Sequence, residues 1–202
     1  EQYLTNIAWS PDDKHIYIAV LNRDQNHMKL NKYDAETGEF VKILFEEKHE
    51  NYVQPLHPML FVEGTNSEFL WRSERDGYDH IYRYSVNGEL LNQVTKGKWV
   101  VKDILGLNDK SVILTGTANN GLDTQVYKSL LKNSRSRMIT DDAGVHRVKA
   151  NSDASHFIDS FNSLENPGTI EIIDNSGTVE QTLLQSKNPY QSTIMGTTEL
   201  YT

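Results

Sequence analysis

Five side chains that can exchange protons or carry charge lie close together in the chain: Glu74, Arg75, Asp76, Asp79 and His80. Carboxylates beside an imidazole can shift its pKa towards neutrality, which suits general acid and base catalysis. The same stretch also has the form of a hairpin turn, because Asp76 precedes a glycine that accepts a positive φ between two strand-like runs. In that interpretation Glu74 and Arg75 lie in solvent, and His80 lies on a strand face. The pattern favours the turn.

Motifs of the common enzyme classes are absent from the sequence. The Gly-x-Ser-x-Gly elbow of serine hydrolases, the His-Glu-x-x-His pair of zinc enzymes, the phosphate loop and the dinucleotide fingerprint do not occur. The remaining histidines are scattered over the chain, at His15, His27, His49, His57, His146 and His156. The sequence therefore predicts no catalytic residue, no metal site and no cofactor.

The charge balance limits the classes of partner. The chain has 28 Asp and Glu residues against 20 Lys and Arg, a formal net charge of -8, and both signs are spread along its 202 residues. Nucleic-acid binding needs a basic face, so we expect no nucleic-acid partner. No run approaches the roughly 18 apolar residues of a membrane-spanning helix, so we expect no membrane span. Cysteine is absent, which leaves the redox compartment open.

Short runs rich in Val, Ile, Tyr, Phe and Trp alternate with clusters of Gly, Asn, Asp and Ser, while helical periodicity is weak. These runs form four successive sets of four predicted strands. A small-residue turn precedes the last strand of each set, at Gly38, Gly88, Asn133 and Gly177, with spacings of 50, 45 and 44 residues. Four strands in about 40 to 50 residues are typical of a propeller blade.

We therefore predict an all-β fold, a partial β-propeller of about four four-stranded antiparallel blades in a single domain, 1–202. The blades are expected at about 4–48, 59–97, 99–141 and 146–186, followed by a connection at 187–202. An antiparallel sandwich is the alternative, because its turns also recur about every 8 to 12 residues. Four blades from a ring of about seven or eight would leave two apolar faces uncovered. We therefore expect the isolated chain either to pair with a second copy through its terminal blades or to aggregate.

Three stretches resemble known families. "IAWSPDDKHIYIA" (7–19) resembles the repeat of propellers in the prolyl oligopeptidase class and in the TolB group. "EFLWRSERDGYDHIYRYSVNGELLNQVTKGKWVV" (68–101) resembles the N-terminal propeller of dipeptidyl peptidase IV-like serine peptidases. The matching positions are Glu74, Gly77, Tyr78, His80, Tyr82, Thr95, Gly97 and Trp99. "GTTELYT" (196–202) is similar to the connection into the hydrolase domain, so the resemblance covers the C-terminal half of such a propeller.

This resemblance implies a parent enzyme that removes dipeptides with proline or alanine in the second position, through a Ser-Asp-His triad that this chain lacks. The partners it implies are the peptide substrate and a C-terminal α/β-hydrolase domain of the same chain, in a periplasmic or secreted protein. The family's paired amine-binding glutamates are expected upstream, so Glu46 and Glu47 receive no such role. Val53, Gln54 and, with less support, His57 fall where the family's propeller reaches the substrate cavity.

Three functions are compatible with these observations. In the first, the chain is a non-catalytic segment that gates and shapes access of peptides to the catalytic cleft of such an exopeptidase. In the second, it is a stand-alone TolB-like propeller module for protein binding. In the third, the Glu74 and His80 cluster makes the chain itself a hydrolase. The resemblance favours the first, and on that hypothesis the isolated chain is inactive.

Overall fold

The computed structural model describes residues 1–190, 192–194 and 196. Sixteen β-strands and one short 3₁₀-helix, Asn119–Gly121, lie in this part of the chain. The fold is the all-β partial propeller of about four four-stranded antiparallel blades that the repeat predicts. Residues 191, 195 and 197–202 of the predicted connection lie outside the described residues, and the single-domain boundary stays a prediction.

The chain forms two compact units. The first unit comprises Glu1–Gly97 with the two turns Asn108–Lys110 and Leu130–Arg135. The second comprises Lys98–Leu107, Ser111–Ser129 and the described residues from Ser136 onward.

The first unit contains two antiparallel sheets, each in sequence order. Their strands are β1 (Gln2–Trp9), β2 (His15–Asn22), β3 (His27–Asp34), β4 (Phe40–Lys48), β5 (Leu60–Phe61), β6 (Glu68–Ser73), β7 (His80–Ser85) and β8 (Leu90–Gln93). Alternate side chains of β2 and β3 pack with those of β6 and β7 in one apolar core that includes Tyr17, Leu30, Phe69, Trp71 and Tyr84. Because successive side chains of a strand point to opposite faces, every second residue of these strands faces this core.

The second unit contains the other eight strands. They are β9 (Val101–Leu107), β10 (Ser111–Ala118), β11 (Asp123–Leu130), β12 (Ser136–Met138), β13 (Val145–Ala150), β14 (His156–Asn162), β15 (Thr169–Asp174) and β16 (Val179–Gln185). A single parallel pairing, Thr124 with Val145, joins the third and fourth sets into one eight-stranded sheet, which the sequence did not predict. Beside this pairing the Thr124 amide donates a hydrogen bond to the Gly144 carbonyl at 3.1 Å. Gly144 has a φ of 135°, and a Cβ there would overlap the carbonyl of Asn162 on β14.

The turn before the last strand of each set has a defined packing role. A Cβ at Gly88 would overlap the carbonyl of Leu44 on β4, the last strand of the preceding set, and one at Gly177 would overlap the carbonyl of Ile139 just after β12. In the third set the positive φ belongs to Ser134, not to the predicted Asn133, and the Ser134 hydroxyl donates a hydrogen bond to the carbonyl of Gln93 on β8. Three turns therefore dock on a carbonyl of the set before them.

Gly38, the corresponding residue of the first set, has a φ of 74°, but among the described residues nothing lies within 4 Å of the position that a Cβ would take. The sequence spacing that identified these turns thus reflects a repeated contact between successive sets of strands.

Candidate functional site

The candidate site is a cavity of about 220 Å³ in the first unit. It lies where β4 ends and where the hairpin between β6 and β7 turns, since antiparallel strands bring these two connections to the same end of their sheets. The residues that line it are Glu47, Lys48, His49, Tyr52, Val53, Gln54, Ser73, Glu74, Arg75 and Gly77. Two distant stretches singled out in the sequence, 51–58 and 73–84, therefore meet at this cavity.

The loop after β4 is fixed by backbone hydrogen bonds. The Val53 amide donates to the carbonyl of Gln25 at 2.7 Å, and the Asn6 side chain donates to the carbonyl of Pro55 at 2.8 Å. Val53 is buried, whereas Gln54 is exposed at the rim of the cavity. His57 is not among the residues that line it.

Arg75 links the hairpin to the end of β4. Its Nε donates to the Ser73 hydroxyl at 3.1 Å, one Nη donates to the Tyr84 hydroxyl at 2.7 Å, and the other pairs with the carboxylate of Glu47. The guanidinium also lies over the ring of Tyr82, 4.2 Å from its centroid. Arg75 is thus exposed, as expected, but its guanidinium is held by these partners instead of extending freely into solvent.

Glu47 is the hub of this network. Its Oε1 accepts a hydrogen bond from the Trp71 indole at 3.0 Å, and its Oε2 accepts one from the Ser73 hydroxyl at 3.0 Å. Only 11% of the Glu47 side chain is exposed. A carboxylate so enclosed needs these donors and the guanidinium to offset its desolvation.

Beneath Arg75 the aromatic rings of Tyr82 and Tyr84 support the wall. Tyr84 stacks on Phe45 at 4.4 Å and on Phe69 at 5.5 Å between ring centroids. Burial raises the pKa of both tyrosine hydroxyls, and the neighbouring Asp76 carboxylate raises that of Tyr82 further. Both phenols stay protonated near neutral pH, so Tyr84 is free to accept the Arg75 hydrogen bond.

Glu46 and Glu47 are adjacent in sequence but point to opposite faces of β4, as alternation along a strand requires. Glu46 faces His27, whose Nε2 lies 2.6 Å from its Oε2, and this hydrogen bond is the largest cause of the lowered pKa of Glu46. The two adjacent carboxylates therefore take different partners, Glu46 at His27 and Glu47 at Arg75.

The residues considered for acid-base chemistry take separate partners. His80 is fully buried, with Nδ1 3.0 Å from the Thr95 hydroxyl and Nε2 3.0 Å from the carbonyl of Gly97. Asp79 pairs with Arg72 at 2.5 Å, and Asp76 accepts a hydrogen bond from the Gln93 side chain at 2.6 Å. His80 thus ties β7 to the 95–97 turn.

Two findings concern other possible sites. Among residues 1–190, 192–194 and 196, no group of three or more His, Asp and Glu side chains is arranged to hold a metal ion. Within the same residues, no helix is both long and apolar enough to cross a membrane.

Comparison with known proteins gives a consistent result. A family model described as "Dipeptidyl peptidase IV (DPP IV) N-terminal region" matches residues 1–168. Dipeptidyl peptidase 4 of Felis catus is 28% identical over 116 residues, which are 53% of this chain and 15% of that protein. Dipeptidyl peptidase 4 of Trichophyton rubrum is 26% identical over 126 residues, which are 60% of this chain and 16% of that protein.

Solved structures show the same likeness. A putative dipeptidyl aminopeptidase IV from Bacteroides ovatus superposes with a TM-score of 0.84 at 31% identity, over 94% of this chain and 30% of that one. Porphyromonas gingivalis dipeptidyl peptidase 4 superposes with a TM-score of 0.78 at 21% identity, over 91% of this chain and 26% of that one. The chain thus spans less than a third of the proteins it matches.

Proposed function

Because the chain belongs to the family of dipeptidyl peptidase IV N-terminal regions, we propose that it is a non-catalytic propeller segment of a serine exopeptidase that gates and shapes access of peptides to the catalytic cleft. The observation that carries this proposal is the cavity that Val53 and Gln54 form with the β6–β7 hairpin. Its wall is preorganised by the Arg75 and Glu47 network, which suits a surface that positions an extended ligand.

The catalytic serine, aspartate and histidine of the parent belong, in this proposal, to an α/β-hydrolase domain of the same polypeptide. The parent is proposed to be periplasmic or secreted. The chain alone is expected to release no product from a dipeptide chromogenic substrate with proline in the second position. Continuation of the reading frame into a domain with Gly-x-Ser-x-Gly supports the peptidase, and a stop codon after residue 202 favours the TolB-like binding module.

Gln54 tests the proposed role of the cavity in the full-length enzyme. Gln54→Ala is expected to raise KM for peptide substrates about 2- to 10-fold, the value of one hydrogen bond of about 0.5–1.5 kcal/mol, and to leave kcat nearly unchanged. Gln181→Ala is the matched control, since Gln181 is an exposed glutamine on β16 outside the cavity. Equal kinetics for the two variants would show that the rim does not contact substrate.

The uncovered face of the first sheet supports pairing with a second copy when the chain is isolated. Trp9, Ile16, Tyr33 and Phe40 lie opposite one another across its four strands, on the face away from the core. Trp9 and Phe40 are each 54% exposed. Gly38, in the turn between β3 and β4, has open space at the position of a Cβ, whereas its counterparts Gly88 and Gly177 meet a carbonyl of the preceding set. A contiguous exposed apolar face of this kind is typical of a surface that packs against another protein.

The chain is therefore expected to elute as a dimer or larger species on a size-exclusion column with light scattering at high protein concentration. Trp9→Lys with Phe40→Lys should shift it towards monomer. Leu164→Lys, at an exposed leucine of the second unit, should not change the elution. A stable monomer of the native sequence at high concentration contradicts the pairing.

A further inference from the structure

A buried histidine in the second unit has a hydrogen-bond acceptor on each ring nitrogen. Nε2 of His146 lies 2.9 Å from the carbonyl of Asp142, and Nδ1 lies 2.6 Å from Oδ2 of Asp159. Only 2% of the His146 side chain is exposed, and that of Asp159 is fully buried. The ring also stacks on Phe161, with 4.7 Å between centroids.

These two contacts determine how many protons His146 and Asp159 carry together. A carbonyl only accepts, so Nε2 carries a proton whenever the contact with the Asp142 carbonyl is made. The 2.6 Å contact between Nδ1 and Oδ2 then requires one further proton, carried by the imidazole or by Asp159. Without it, a nitrogen lone pair would face a carboxylate oxygen in a site closed to water.

Three acidic residues, Asp141, Asp142 and Glu171, line the same small cavity as His146. Glu171, on β15, is directly opposite Asp159 and is also buried, and Asp141 and Asp142 lie on the loop before β13. Two neutral residues complete the surroundings: Gln125 on β11 donates a hydrogen bond to the Asp142 carbonyl, and Thr140 on the loop donates one to Gln125. Oδ1 of Asp159 has no hydrogen-bond partner among the described residues.

The effect on proton affinity follows from these contacts. Burial lowers the pKa of His146, but the hydrogen bonds and charges of Asp159 and Asp142 raise it more, so the net pKa lies above its ordinary value. Burial first, and then the Asp159 and Asp142 charges, raise the pKa of Glu171. Both shifts mean that the folded unit holds protons more tightly than the unfolded chain. Stability is therefore present at low pH and is lost as pH rises through the folded-state pKa values.

His146 also determines the position of a loop. The Asp142 carbonyl accepts hydrogen bonds from His146 and, at 2.8 Å, from the Gln125 side chain, and this holds residues 139–144 against β11. The end of that loop, Ala143 and Gly144, forms one wall of a separate cleft of about 540 Å³. Leu164 and Glu165, from the β14–β15 turn, also line this cleft.

We propose that His146 and Asp159, with Glu171 beside them, form a proton-operated latch that holds the 139–144 loop closed and releases it when the shared proton is lost. A neutral imidazole carries a single N–H, so a ring that keeps its Nδ1–H bond to Asp159 loses the proton on Nε2. This removes one of the two hydrogen bonds on the Asp142 carbonyl and lets Ala143 and Gly144 move away from the cleft. The device belongs to the second unit and does not depend on the role proposed for the cavity in the first.

Hydrogen exchange of the 202-residue chain tests the latch. After correction for intrinsic exchange, the opening constant of the 139–144 amides should rise about tenfold per pH unit above the pKa of the pair, as loss of one proton requires. Asp159→Asn is the decisive variant, because its amide can donate to Nδ1 of a neutral imidazole and keep the loop closed without the extra proton. Its opening constant should not depend on pH, whereas His146→Ala should open the loop at every pH.

His156→Gln provides the matched control, since His156 is an exposed histidine on β14 that pairs with Glu180 at 3.3 Å. It should keep the pH dependence of the native chain. If Asp159→Asn does not fold, NMR titration of the His146 ring in the native chain decides the question, because the latch requires a ring still protonated well above about pH 6.5, the ordinary histidine value. Loop exchange independent of pH in the native chain, or a ring that titrates at its ordinary value, would overturn the proposal.

Discussion

Gly88→Ala is expected to destabilise the first unit by about 3–5 kcal/mol. About 1–2 kcal/mol of this loss is backbone strain, because a non-glycine residue would adopt a positive φ. The remainder comes from overlap of the added methyl group with the neighbouring sheet. Gly88 has a φ of 90°, and its Cα lies so close to the backbone of Leu44 that an added methyl group overlaps the carbonyl. Backbone cannot rotate away as a side chain can, so the second sheet would have to separate from the first. Hydrogen exchange of the β7 and β8 amides measures the loss.

Gly38→Ala separates the two contributions. Gly38 has a similar φ of 74°, yet nothing lies within 4 Å of the position that a Cβ would take. Its substitution should therefore show only the backbone strain, about 1–2 kcal/mol. Gly177→Ala, at the same turn of the last set, should resemble Gly88→Ala in the second unit, because its Cβ would overlap the carbonyl of Ile139. Equal losses for Gly38→Ala and Gly88→Ala would mean that the docking contact contributes nothing.

The strands and the repeat could be predicted from the sequence for a physical reason. Apolar residues that alternate between turn residues specify a half-buried strand locally, so β2, β7 and β14 lie where the pattern predicts them. The hairpin interpretation of Asp76 and Gly77 is confirmed for the same reason, since Gly77 has a φ of 95°. The turn of the third set was placed one residue early, because Asn and Ser both tolerate a turn and only packing on Gln93 selects Ser134.

The candidate site could be predicted from the sequence only in part. The resemblance placed Val53 and Gln54 at a cavity rim, and the structure locates both at a cavity, although contact with substrate stays a prediction. The network of Arg75 and Glu47 joins residues 28 positions apart on different sheets, so no local pattern in the sequence indicates it. His146 and Asp159 were missed for a similar reason, since each has the appearance of an ordinary strand residue until pairing brings them together.

The two buried polar networks stabilise the fold in different ways. Around Glu47, donors from Trp71, Ser73 and Arg75 balance one carboxylate, so the network is complete without any change of protonation. Around Asp159, by contrast, the nearest charged neighbours are acidic, and a proton on the pair supplies the missing positive charge. The first arrangement is therefore expected to be insensitive to pH near neutrality, and the second is not.

Glu47→Ala is the second substitution with a large expected effect, a loss of about 3 kcal/mol in the stability of the first unit. Removing this carboxylate leaves the Trp71 indole, the Ser73 hydroxyl and the Arg75 guanidinium without their common acceptor in a partly buried site. The expected loss is at the low end for a buried pair, because 31% of the Arg75 side chain remains in contact with water. Glu47→Gln should lose less, since an amide oxygen still accepts one of these hydrogen bonds.

Glu46→Ala is the matched control, because it removes the same side chain from the adjacent position of the same strand. Glu46 faces His27, Lys29 and Lys48 near the surface, where water can replace each partner, so its loss should be much smaller. Faster hydrogen exchange of the 74–78 amides should accompany Glu47→Ala only, since Arg75 then no longer ties the hairpin to β4. Similar losses for Glu46→Ala and Glu47→Ala would show that the wall of the cavity is held by the stacked aromatic rings rather than by the ion pair.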